Sequence, residues 1–267
     1  MNKVLSIITP SYNQSGYLER NIESIQTQSG IDIEHIVVDG GSDDGTKDIL
    51  RDYHKLYNLR WVSEPDRGQT HALNKGLEMA TGDWVGWQNS DDFYLPGAFE
   101  SFRQALETNP QADVVYGDLV IVDEDGDELS QKFMTRPSKF IQRNWSLFAS
   151  NQSLFVRRPI LEEIFPLDEN LEYTMDAQLT WELLQGDYNL VHVAEPLGAF
   201  RVQSDAKTYG SVRDLQDAEL RQIYGYPLYQ RILPDFVLEN TAKAIKAAYL
   251  LLDNNIEGLR YNMRNLY

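Results

Sequence analysis

The chain has no cysteine, no long apolar run and few basic residues. The absence of cysteine excludes disulfides, thiolate metal sites and cysteine nucleophiles, and it fits a reducing compartment. No apolar run approaches the length needed to span a bilayer, and residues 1–5 lead into a strand without a signal-peptide pattern. We therefore predict a cytoplasmic protein without a transmembrane segment, and leave peripheral membrane association open.

Acidic residues dominate the charge of the chain. Its 267 residues include 41 Asp and Glu against 24 Lys and Arg, which gives a formal net charge of −17. Such a charge argues against nucleic-acid binding. It does not exclude a nucleotide ligand, because a bound cation can invert the local field.

Strand-like and helix-like segments alternate through the first hundred residues. Apolar runs typical of buried strands cover residues 4–9, 33–38, 59–62 and 84–87, and helical spacing of apolar residues lies between them. This alternation predicts an α/β fold, in which helices flank a mostly parallel sheet. We predict one domain over residues 1–210, with a nucleotide-binding half at about 1–110 and an acceptor half at about 111–210. Residues 211–267 are predicted to form a helical C-terminal extension.

Polar loops follow the four early strands. They carry Thr9-Pro10-Ser11-Tyr12-Asn13, then Asp39, then Glu64-Pro65-Asp66-Arg67-Gly68, then Asn89-Ser90-Asp91-Asp92. Loops after parallel strands emerge at one edge of the sheet, so we expect them to converge. Two adjacent carboxylates at that edge repel each other unless a cation lies nearby, and a hard divalent cation is the natural candidate.

Each of these side chains also has a structural interpretation. Asp39 could hold turn amides before Gly40, Arg67 could form a surface ion pair, and Tyr12 could be an aromatic residue at the core edge. A helix cap could explain one acid of the Asp91-Asp92 pair but not both. Asp176 could cap the helix that follows it.

Three segments resemble family 2 glycosyltransferases with the GT-A fold, in order and in spacing. They are residues 7–13, residues 36–46 and Asn89-Ser90-Asp91-Asp92. The resemblance implies a sugar-nucleotide donor and Mn²⁺ or Mg²⁺. Asp92 is implied to be the leading metal ligand, and Asp91, nearer the ribose, the second. It implies that Asp176 is the catalytic base. The residues implied to bind the nucleotide sugar are Thr9, Pro10, Tyr12, Asp39, Asp66, Arg67, Asn74, Lys75, Asn89, Asp91, Gln152 and Lys207.

The resemblance also leaves two points open. Gln203 stands where the family often has a histidine, so a third protein ligand for the metal is not expected. Arg201 stays a candidate for diphosphate contact.

The implied activity is an inverting, hexosyltransferase-type transfer in polysaccharide or glycoconjugate assembly. The preferred donor is a UDP-sugar, and the acceptor is a saccharide or is lipid-linked.

Two other functions stay open. Asn89 and Gln203 would fit a non-catalytic sugar-nucleotide binding module. A nucleotidyltransferase is less favoured, because the first strand leads into a loop without glycine before Gly16.

Overall fold

A mixed sheet forms the centre of the molecule. The computed structural model describes residues 4–203, 212–225, 227, 230, 232–253, 255 and 258. Nine strands form one sheet in the order β3-β2-β1-β4-β8-β6-β9-β5, and β7 pairs with β6. The strands are β1 (Val4–Ser11), β2 (Asp32–Asp39), β3 (Leu59–Ser63), β4 (Trp84–Trp87), β5 (Phe93–Tyr94), β6 (Val114–Val122), β7 (Glu128–Lys132), β8 (Leu154–Arg157) and β9 (Leu190–Arg201).

The first half of the sheet has the predicted parallel arrangement. β1 pairs in parallel with both β2 and β4, and β2 pairs in parallel with β3. The connecting helices are α1 (Ser15–Gln26), α2 (Thr46–Tyr53) and α3 (Gln69–Met79). The carboxyl ends of β1 to β4 therefore lie at one edge, and the predicted α/β fold is confirmed.

The second half of the sheet mixes both strand directions. β8 is antiparallel to β4 and to β6, whereas β9 runs parallel to β6. Within the described residues, the further α-helices are α4 (Ala98–Thr108), α5 (Lys139–Asn144), α6 (Arg158–Ile164), α7 (Met175–Gln185), α8 (Arg213–Tyr224) and α9 (Asp235–Leu252). The helices of the C-terminal segment agree with the predicted helical extension, while the domain boundary at residue 210 stays a prediction.

Apolar side chains cover both faces of the sheet. Ile7 belongs to a cluster with Trp84, whereas its neighbour Ile8 belongs to a separate cluster with Leu73. Successive side chains of a strand point to opposite faces, so a continuous apolar run such as that of β1 needs cover on both. This explains why the first strand reads as uninterrupted in the sequence.

We predict that Phe155→Ala lowers the free energy of unfolding by about 3–5 kcal/mol. Phe155 is fully buried, and its ring lies 4.6 Å from that of Phe102 and 5.9 Å from that of Phe99, centroid to centroid. Urea unfolding followed by circular dichroism measures the loss. Leu56→Ala is the control, because Leu56 is 64% exposed. Equal unfolding midpoints for the two variants would contradict the packing described.

Candidate functional site

Hydrogen bonds join the four loops at the carboxyl edge. The backbone N–H of Asn13 donates to Ser42 Oγ at 2.7 Å, and Asn13 Oδ1 accepts from the backbone N–H of Asp43 at 3.0 Å. Gln69, the first residue of α3 and directly after the third loop, donates from Nε2 to Asn89 Oδ1 of the fourth loop at 2.8 Å. Asn13 has φ of 52°, in the left-handed region that asparagine tolerates. The expected convergence is thus present.

A pocket of about 480 Å³ opens at this edge. Five residues predicted to bind a nucleotide sugar line it: Pro10, Tyr12, Asp66, Asn89 and Asp91. Ser11 and Gln14 also line it, and Ser11 Oγ and Gln14 Oε1 are buried without a hydrogen-bond partner in the described part of the chain. Buried polar atoms are nearly always paired, so this wall is suited to a polar ligand.

Two residues predicted to hold the nucleobase do not line the pocket. Thr9 is fully buried, and its hydroxyl lies 3.0 Å from His35 Nε2. Asp39 is fully buried too, and its carboxylate accepts from the N–H groups of Gly41 and Ser42 and from the hydroxyl of Ser63. Asp39 therefore has the turn-holding contacts of its structural interpretation. A nucleobase role for either residue stays a prediction.

Residues 67–75 contribute less to the pocket than the resemblance implies. Arg67 forms a surface ion pair with Glu169 at 2.7 Å, and Lys75 pairs with Glu64. Asn74 Nδ2 donates to the carbonyl of Leu167 at 3.0 Å. These three side chains are absent from the pocket wall among the described residues. Lys207, another predicted contact, lies outside the described residues.

Asp92 is an internal support of the site. It is 1% exposed, and its Oδ2 accepts from Gln152 Nε2 at 2.7 Å and from Asn89 Nδ2 at 3.2 Å. Its Oδ1 accepts from the backbone N–H of Arg201 at 2.9 Å. Both oxygens are thus bound to protein donors, and Asp92 does not line the pocket. This geometry disagrees with the expectation that Asp92 leads in binding a metal.

Of the two adjacent acids, Asp91 is the one that lines the pocket. Its Oδ2 accepts from Gln203 Nε2 at 2.6 Å, while Arg201 Nε donates to its carbonyl at 2.8 Å. Burial raises the pKa of Asp91, and the bond from Gln203 and the charge of Arg201 partly oppose that rise. Burial and the neighbouring Asp91 also raise the pKa of Asp92. A half-buried carboxylate that is repelled by a fully buried neighbour is suited to a nearby cation.

The residues at this site fit a divalent ion that is shared with a ligand. Within the described ranges there is no group of three His, Cys, Asp or Glu residues that could hold a metal by themselves. Mg²⁺ is commonly bound through one or two carboxylates, with waters and substrate phosphates as its other ligands. Asp91 can supply such a carboxylate. Asn89 cannot replace it, since its Oδ1 accepts from Trp87 Nε1 and from Gln69 Nε2, both at 2.8 Å.

A second pocket, of about 730 Å³, adjoins the first. The two pockets share a wall made of Gln69, Asn89, Tyr173, Met175 and Phe200. Asp176 lines the second pocket from the first turn of α7, and its Oδ1 accepts from the backbone N–H of Ala177 at 2.7 Å. Gln152, predicted to lie near the sugar, also lines this pocket. A carboxylate thus stands on each side of the shared wall.

Opposing effects set the protonation of Asp176. Burial raises its pKa, the charge of Lys132 lowers it, and the charge of Glu219 raises it. Burial also lowers the pKa of Lys132, which lines the same pocket. A carboxylate with a raised pKa is suited to proton transfer.

Several site residues escaped the sequence interpretation. Gln69 and Lys132 are ordinary surface residues by type, and no motif marks them. Tyr173 belongs to the segment that resembles the catalytic-base region, yet only the fold shows that it separates two pockets. Ser11 lies within the first polar loop and Gln14 directly after it. That their side-chain oxygens are buried without a partner follows from the fold and not from the sequence.

The model of the protein family described as Glycosyl transferase family 2 matches residues 6–165. An uncharacterized glycosyltransferase of Nostoc sp. is 29% identical over 174 residues, which are 61% of this chain and 54% of the relative. A putative teichuronic acid biosynthesis glycosyltransferase, TuaG of Bacillus subtilis, is 43% identical over 91 residues, 33% of this chain and 36% of the relative. The chain thus spans about half or less of the length of these two relatives.

Solved structures show the same fold. S. aureus TarS residues 1–349, in complex with UDP-GlcNAc, matches with a TM-score of 0.67 at 20% identity, covering 92% of this chain and 71% of that one. The mannosyltransferase PcManGT of Pyrobaculum calidifontis, in complex with GDP-Man and Mn²⁺, matches with a TM-score of 0.62 at 17% identity, covering 94% of this chain and 76% of that one. The fold is therefore that of GT-A glycosyltransferases.

We predict that Asp92→Ala destabilises the fold more than Asp91→Ala does. Removing the Asp92 carboxylate leaves three donors without a partner, and each buried unpaired group costs about 1–3 kcal/mol. Asp91 accepts one bond at the pocket wall. Urea unfolding without metal or nucleotide compares the two variants. A larger loss of stability for Asp91→Ala would contradict the assignment of Asp92 as the support.

Proposed function

We propose that this chain, which belongs to glycosyl transferase family 2, transfers a hexose from a nucleoside-diphosphate sugar to an acceptor hydroxyl with inversion at the anomeric carbon. One observation carries the proposal: two adjoining pockets share a wall, with Asp91 in the first and Asp176 in the second. That arrangement gives donor and acceptor separate sites that meet where the bond would form.

The first pocket is assigned to the donor. Tyr12 is 62% exposed at its rim and presents a ring on which a base can stack, while Ser11 and Gln14 offer unpaired polar atoms. TarS was solved with UDP-GlcNAc and PcManGT with GDP-Man, which supports a nucleotide sugar as the class of donor. We propose a UDP-sugar first.

We assign the contact with Mn²⁺ or Mg²⁺ to Asp91 rather than to Asp92. Asp91 faces the donor pocket, and Asp92 holds Asn89, Gln152 and the backbone of Arg201 around it. When bound, the cation supplies charge stabilisation for the departing nucleoside diphosphate. Gln203 orients Asp91 by its hydrogen bond of 2.6 Å.

Asp176 is the proposed general base. Its carboxylate takes the proton of the acceptor hydroxyl as the oxygen forms a bond to the anomeric carbon. The bond from that carbon to the phosphate oxygen breaks on the opposite face, and its electron pair leaves with the nucleoside diphosphate. Attack from the face opposite the leaving group accounts for inversion.

The second pocket is suited to a saccharide acceptor. Ser146 Oγ and Asn151 Nδ2 belong to residues of its wall, and both atoms are buried without a partner in the described segments. Hydroxyl groups of a sugar can pair with such atoms.

TuaG is named for teichuronic acid biosynthesis, and a relative from Escherichia coli is named chondroitin synthase, which supports a role in polysaccharide assembly. No described helix is both long enough and apolar enough to cross a membrane.

A panel of UDP-, GDP- and dTDP-sugars with Mn²⁺ tests the proposal. Release of nucleoside diphosphate, with and without added oligosaccharides, is the measurement. We expect release from one nucleotide class, faster with a suitable acceptor. Donor binding without release across the panel would instead favour the non-catalytic binding module, for which the neutral Asn89 is the motivating feature.

For Asp176→Asn we expect donor binding close to that of the wild type and transfer reduced by about 10²-fold or more, because the amide cannot accept the proton. Calorimetry with the nucleoside diphosphate and rate measurements with the active donor give the two quantities. Asp48→Asn is the control and should behave as the wild type, since Asp48 is an exposed acid of α2 that lines neither pocket. Equal turnover by Asp176→Asn and the wild type would remove Asp176 from the mechanism.

For Asp91→Asn we expect the tightening of UDP binding by Mn²⁺ to be lost, because the amide carries no charge for the cation. Calorimetric titration of UDP with and without Mn²⁺ measures this without turnover. Asp43→Asn changes an exposed acid of the second loop and is expected to behave as the wild type. A metal effect of the same size in both variants would count against Asp91.

A further inference from the structure

We infer that Glu219, in the C-terminal helix α8, is a positioning residue for Asp176 and for the wall between the two pockets. The inference rests on the proposed function in one respect, namely that Asp176 acts as the base. Its geometric part stands on hydrogen bonds between α8 and the chain just before α7.

The carboxylate of Glu219 accepts three hydrogen bonds from consecutive residues. Its Oε1 accepts from the backbone N–H of Glu172 at 2.9 Å. Its Oε2 accepts from the backbone N–H of Tyr173 at 3.0 Å and from the hydroxyl of Thr174 at 2.8 Å. One side chain therefore fixes residues 172–174, directly before the helix that carries Asp176.

This contact replaces the usual way of starting a helix. Thr174 stands at the N-cap of α7, a position where a threonine side chain commonly accepts from an N–H of its own helix. Its side chain makes no such bond here and donates to Glu219 instead. The orientation of the first turn of α7, and of Asp176 within it, consequently depends on a residue 43 positions further along the chain.

Other contacts seat α8 independently of Glu219. The ring of Tyr224 lies 4.8 Å from that of Trp181, and Arg143 Nη2 donates to the carbonyl of Tyr224 at 2.8 Å. Gln222 Nε2 donates to Asp168 Oδ2 at 3.1 Å. A change at Glu219 alone should therefore leave α8 in place while releasing residues 172–174.

Glu219 also contributes to the electrostatic environment of Asp176. Among the described residues, Lys132 on β7 and Glu219 on α8 act on the charge of Asp176, and Tyr224 at the end of α8 interacts with it. Two further charged residues of α8, Arg213 and Asp217, line the same pocket. The negative charge of Glu219 raises the pKa of Asp176, and the positive charge of Lys132 lowers it. A base is inactive when protonated, so transfer falls as pH drops through that pKa. This fall is the acidic limb of the pH–rate profile. Removing the charge of Glu219 should move the acidic limb to lower pH, and removing the charge of Lys132 should move it to higher pH.

The test compares Glu219→Gln, Glu219→Asp and Lys132→Met in the full chain, with the donor found active in the panel. For Glu219→Gln we expect kcat on the plateau of the pH–rate profile to be about 10- to 100-fold lower, because the catalytic group is misplaced. We also expect the acidic limb of the profile to shift to lower pH. Glu219→Asp keeps the charge but not the reach, so its plateau should fall while its limb stays. Lys132→Met should shift the limb the opposite way.

Controls separate positioning from general damage. Glu239→Gln removes another acid of the C-terminal segment, one paired with Lys243 on α9, and should leave both plateau and limb unchanged. Thermal unfolding verifies that each variant is folded. An unchanged plateau, or a limb that moves equally in Glu219→Gln and Glu219→Asp, would overturn the inference.

Amide hydrogen exchange tests the geometric part without turnover. We expect the amides of Glu172 and Tyr173 to exchange faster in Glu219→Gln and not in Glu239→Gln. Unchanged exchange would overturn the inference even if the enzyme is active. If the wild-type protein transfers no sugar but these two amides still exchange faster in Glu219→Gln, the hydrogen bonds are supported and the failure lies in the proposed function.

Discussion

The buried carboxylate of Asp92 is the interaction on which the site depends. It joins the loop after β4, the turn before β8 and the end of β9 by accepting from Asn89, Gln152 and the backbone of Arg201. These segments are up to 109 residues apart in sequence. A buried carboxylate with paired oxygens fixes its donors firmly, since each would be costly to leave unpaired. These hydrogen bonds of Asp92 also fix the position of Asp91, which faces the pocket.

The two adjacent acids consequently have different roles, one structural and one facing the pocket. Asp91 and Asp92 lie in the turn after β4, in which the backbone N–H of Asp92 donates to the carbonyl of Asn89 at 3.1 Å, and the two carboxylates leave this turn in different directions. In this chain the inward one is Asp92 and the outward one is Asp91. At the end of β2, Asp39 also turns inward and holds its own turn. Acid motifs at strand ends thus contain both supports and contacts.

The sequence predicted the fold well where periodicity was strong. β4 begins and ends where its predicted apolar run begins and ends, and the convergence of four polar loops follows from parallel strands alone. It predicted side-chain direction poorly. Thr9, Asp39 and Arg67 have the expected residue types at the expected places, yet their partners are His35, a turn and Glu169. The Glu219 contact could not be foreseen, because no local pattern pairs α8 with the start of α7.

The wall shared by the two pockets has a thermodynamic consequence. Gln69, Tyr173 and Phe200 border both cavities, so any ligand that reorders them on one side alters the surface offered on the other. Such linkage is reciprocal: whatever the first ligand does to the affinity for the second, the second does to the first by the same factor. In the proposed function, the effect of the bound donor on acceptor affinity, and of the acceptor on donor affinity, therefore depends on how these three side chains move.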